Sequence, residues 1–75
     1  MDTDTTSLDR EVRRLKRIAA EWAGRLHDLV EERLPAAYGE LPEMTHNTYE
    51  ACQAWADANA RLLKAQEDAE PTGKL

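Results

Sequence analysis

Apolar residues recur along the first half of the chain at steps of four and three. Leu8, Val12, Leu15, Ala19, Trp22, Leu26 and Leu29 form a seven-residue repeat held over three heptads. A repeat of that period places one side of an α-helix against a partner helix. Ile18 and Val30 widen the stripe. Thr6 or Ser7 suits the start, because a hydroxyl oxygen there accepts a hydrogen bond from an orphan N–H. Pro35 has no N–H and disfavours helical geometry at the residue before it, which sets the end near Leu34. The pattern predicts a helix over about 7–34, preceded by a flexible stretch over 1–6.

Residues 35–41, "PAAYGEL", read as a turn, with Gly39 free to take a left-handed conformation. Pro42 suits the first position of a new helix, and Glu43 favours its positive end. A second helix is predicted over about 42–70, stopped by Pro71, with 71–75 as a loose tail. Its stripe is less apolar: Thr45, Thr48, Cys52, Trp55, Asn59, Leu62 and Gln66, flanked by Tyr49, Ala56 and Leu63. Folding one helix back on the other, with paired residue numbers summing to about 77, matches the two repeats layer by layer. Leu29 then meets Thr48, Leu26 meets Cys52, Trp22 meets Trp55 and Leu15 meets Leu62. The expected fold class is all-α: an antiparallel helical hairpin that dimerises into a four-helix bundle. Its core and dimer residues are Leu8, Val12, Leu15, Trp22, Leu26, Leu29, Cys52, Trp55, Asn59 and Leu62.

The size of the chain favours that dimer. Seventy-five residues make at most one domain, and such a core is marginal without a disulfide, a metal or a partner chain. Cys52 is the only cysteine, so no disulfide forms within one chain. No Cys/His cluster has structural-zinc spacing. Two hairpins packed face to face would cover the stripes that one hairpin leaves wet. A buried Asn59 would fix their register, whereas at the rim it would be a solvated amide. The N-terminus is polar and acidic, unlike a signal peptide. No apolar run approaches the roughly 20 residues of a membrane span. The expectation is a soluble cytoplasmic protein.

Charge is unevenly placed. The net charge is −5 and the pI about 4.9, which counts against nucleic acid as a partner. "REVRRLKR", 10–17, holds five basic residues and one acid, whereas from Asp28 to Glu50 six acids accompany one arginine. In an antiparallel dimer one subunit's basic end would lie beside the other's acidic turn.

Candidate chemistry is sparse. There is no Gly-rich phosphate loop. His27 and Glu31 are four apart, as are His46 and Glu50; each pair shares a helical face, and the two histidines flank the same turn. Together they are the candidate ligands for a divalent ion such as Fe, Ni or Zn, weighed against solvated surface pairs. No Glu-x-x-His motif of the di-iron bundles is present. Arg10, Arg13, Arg14 and Arg17 share a face that could meet RNA phosphates, weighed against a solvated face with local acids. Cys52, Trp22 and Trp55 are expected in the seam, the cysteine as a small hydrophobe.

The segment "LKRIAAEWAGRLHDLVEERLPAAYGELPEMTHNTYEA", 15–51, carries a resemblance. Its marks are the basic "LKR" at 15–17, "LHDLVEE" with Leu34 and Pro35 closing it, the aromatic Tyr38, Glu40 and Pro42, and "TYEA" at 48–51. It resembles the small Rop-like proteins of unknown function encoded among nitrogen-fixation genes. The resemblance implies a dimeric hairpin and a role in bacterial nitrogen fixation, and it implies no catalytic residue. The function expected is therefore a non-enzymatic accessory or adaptor acting through protein–protein contacts in the nitrogenase system. Its partner surface would be the turn acids Asp28, Glu31, Glu32, Glu40 and Glu43. A metal-binding bundle supporting cofactor assembly and a Rop-like RNA-binding regulator are the alternatives. No cofactor is expected beyond a possible divalent metal.

Overall fold

The computed structural model describes residues 2–69. Two long helices, α1 (Asp2–Asp28) and α2 (Leu41–Ala69), lie against each other as a hairpin. The body is elongated, with extents of 57 × 21 × 16 Å. Helix α1 begins at Asp2, so most of the stretch expected to be flexible continues the helix. Acid-rich sequence at the positive end of a helix is electrostatically favourable, which suits this extension. The tail 71–75 lies outside the described residues.

At its C-terminal end α1 runs on into a π-helical turn, Leu29–Arg33. Its signature is the Leu34 N–H donating to the Leu29 carbonyl at 3.1 Å, five residues back. Leu34 is extended, with ψ of 151°, the geometry that a following proline imposes. The backbone then turns through Ala37, whose N–H donates to the Arg33 carbonyl at 2.8 Å, and Glu40, whose N–H donates to Ala37 at 2.9 Å. A short 3-10 turn, Tyr38–Glu40, leads directly into α2. The non-helical connector is thus shorter than the sequence pattern suggests. Arg33 closes it from outside by an ion pair with Glu40.

Every predicted seam residue of α1 from Leu8 to Leu29 is half-buried or buried. On α2 the seam departs from expectation. Thr48, Trp55 and Leu62 hold their places, but Thr45, Cys52 and Gln66 are exposed. Between the shared positions the helix presents Met44, Ala51, Ala58 and Ala65 instead. The choice follows from burial energy: this face is apolar at nearly every seam position, whereas the predicted one buries two threonines, an asparagine and a glutamine. Thr45 donates from Oγ1 to the Leu41 carbonyl at 2.7 Å, so its hydroxyl is served locally. Asn59 is half-buried beside the seam, and Ala58, fully buried, takes the seam position.

Trp22 lines a cavity with Met44 and Asn47, near the start of α2. Trp55 lines a different one with Ala19 and Ala23. The two tryptophans thus border different cavities.

Candidate functional site: two faces of the hairpin

In two antiparallel right-handed helices, the positions just after each seam residue fall on one face of the pair, and those just before it fall on the other. The two faces of this hairpin differ most in their middle. The first shows Arg13, Lys16, Ala20, Ala23 and His27 on α1, and Thr45, Tyr49, Cys52, Ala56, Leu63 and Gln66 on α2, all exposed, so that its polar groups lie toward the ends and its middle is apolar. An open groove of about 320 Å³ runs along it, between Ala19, Ala20 and Ala23 on one side and Cys52 and Trp55 on the other. The Trp55 Nε1 is buried and, within the described chain, has no hydrogen-bond acceptor. Val30 (52% exposed) and Leu63 (53%) extend the apolar surface at either end.

The second face is polar. It shows Arg14, Glu21, Arg25 and Asp28 on α1, and Glu43, Asn47, Glu50, Asp57 and Arg61 on α2. The Arg25 guanidinium lies over the Trp22 ring, 4.7 Å from its centroid, a cation–π contact within one helical turn.

The turn acids Asp28, Glu31, Glu32, Glu40 and Glu43 are all exposed at one end of the hairpin. The histidines form separate pairs. His27 Nε2 is 3.5 Å from Glu31, with Asp28 3.7 Å from its other ring nitrogen, and His46 Nε2 is 3.2 Å from Glu50. The fold does not bring them into one set: among the described residues, no three His, Cys, Asp or Glu side chains are placed to hold a metal ion. The basic run is exposed too, but partly engaged. Arg13 pairs with Asp9 at 2.8 Å and Arg14 with Glu11 at 2.8 Å. The hydrogen bonds that Arg14 donates to Glu11, then the Glu11 charge, hold the Arg14 guanidinium above its usual pKa.

A family model described as Rop-like matches residues 3–67, which span both helices and the turn. The chain belongs to the Rop-like family. No curated protein and no solved structure matches it. The match covers the whole described seam of this Rop-like chain, so the hairpin is the family's fold and not a local feature. Among the described residues, no helix is long and apolar enough to cross a membrane. Sequence reasoning missed the division into two faces, because it depends on which alanines of α2 enter the seam. Tyr49, Ala56 and Leu63, placed beside the seam by the sequence pattern, were the available signal.

Proposed function

We propose that this Rop-like chain acts as a homodimer, with two hairpins packing their apolar faces together into a four-helix bundle. The bundle is a non-enzymatic adaptor that contacts a protein partner through its acidic turn. The observation that carries the dimer is the small core. Leu29, Ala58 and Leu62 are the only buried apolar residues among those described, a small core for an independent fold. The groove lined by alanines suits close approach of a second helix pair.

The adaptor role rests on the exposed acids at the turn, and its setting in bacterial nitrogen fixation rests on the resemblance of residues 15–51. Sedimentation should give twice 8.5 kDa, and Ala56→Glu, which places a charge in the packed face, should give the monomer. A folded wild-type monomer at high concentration would sink the bundle. For the adaptor, the tagged protein should retain a nitrogenase-related protein from nitrogen-fixing cells, and a charge-reversed turn should lose it.

A further inference from the structure

The polar face holds a cavity of about 180 Å³ lined by Trp22, Glu40, Glu43, Met44 and Asn47. Its walls combine an indole, a thioether, an amide and two carboxylates, with no basic side chain among them. Such a lining suits a cation carried on an apolar stem. The ring quadrupole and the carboxylates attract the charge, the amide oxygen accepts a hydrogen bond, and the thioether and indole pack against methylenes.

Two further observations favour that occupant, and both concern the carboxylates, since Arg25 already covers one face of the Trp22 ring without being a wall of the cavity. Of the two carboxylates, Glu40 is held by Arg33, while Glu43 has no ion-pair partner among the described residues. The surrounding field also has the right sign. Between Glu21 and Glu50 seven acids face two arginines, a balance of −5 that equals the net charge of the entire chain. A concentration of one sign around a recess draws the opposite charge toward it. A divalent ion fits less well, since no three His, Cys, Asp or Glu side chains among the described residues are placed to hold one.

We infer that this cavity receives the arginine or lysine side chain of a protein partner. The inference rests on the adaptor reading and names its point of contact. In the proposed dimer the cavity stays open, because it lies on the face away from the apolar groove.

The test uses the full chain and acetyl-arginine amide as the probe, with the two indole N–H resonances followed by NMR. The Trp22 resonance should shift saturably while that of Trp55 stays in place. Acetyl-citrulline amide, of the same shape without the charge, should move neither. Glu43→Gln should weaken binding about fivefold, and Asp57→Asn, exposed further along α2, should leave it unchanged. Absence of a saturable Trp22 shift, an equal response to the citrulline compound, or wild-type affinity in Glu43→Gln each overturns the inference. Sedimentation of the same samples reports the dimer separately, so failure of the cavity and failure of the bundle are distinguishable.

Discussion

Trp22 and Trp55 border cavities on opposite faces of one helical seam. They give the two faces different characters. Trp55 closes the floor of an apolar groove with its indole N–H buried and unpaired, while Trp22 carries a cation and borders acids. Their substitution should therefore have different consequences.

At Trp55 the unpaired donor costs free energy, about 1–3 kcal/mol for a buried polar group without a partner. Trp55→Phe removes that donor and keeps most of the ring. Its loss of stability in urea unfolding should stay below about 1 kcal/mol, against about 2–4 kcal/mol for Trp55→Ala, which removes the whole side chain. A Phe variant as unstable as the Ala variant would mean that the N–H finds an acceptor in the assembled bundle.

Gly24 offers a gain in stability. It lies inside α1, exposed, and an added Cβ would meet no atom within 4 Å. Glycine in a helix interior costs about 0.5–1 kcal/mol against alanine, chiefly through backbone entropy. Gly24→Ala should raise stability by that amount and shift Tm upward by about 2–8 °C. A lowered Tm would show that Gly24 is needed for close approach by another chain.

Cys52 reports on assembly. It is exposed on the single hairpin and lines the apolar groove. Labelling by a thiol reagent should be fast at concentrations where the chain is monomeric. It should slow at least about tenfold as the chain is concentrated into dimer, in step with the sedimenting mass. Equal labelling rates across that range would place the dimer interface elsewhere.

The sequence foretold α1 well and α2 less well, for a physical reason. Leu, Val and Trp at heptad spacing leave one choice of buried side on α1. On α2 the intermediate positions offer alanine on one side and threonine, cysteine or asparagine on the other. Alanine carries too little area to announce itself, yet Ala51 and Ala58 enter the seam because they bring no polar group with them. The π-helical turn leaves no periodic trace in the sequence, and only Pro35 hints at an irregular end. The histidine pairs follow directly from four-residue spacing. Whether they converge depends on the hairpin register, which the short connector sets, and here they remain apart. The cavity beside Trp22 was hidden because its lining residues come from both helices and from the 3-10 turn that joins them.

The wide turn at Leu29–Arg33 is also a place where the chain can change length. Before it, α1 is locked to its partner by the seam; after it, Leu34 and Pro35 begin the connector. Removing one residue between them would restore ordinary helical hydrogen bonding and swing the connector by about 100°, and α2, which the short connector leads into, would have to repack against α1. Glu31 and Glu32 sit within this collar, so the facing of the acidic end and the register of the hairpin are set together.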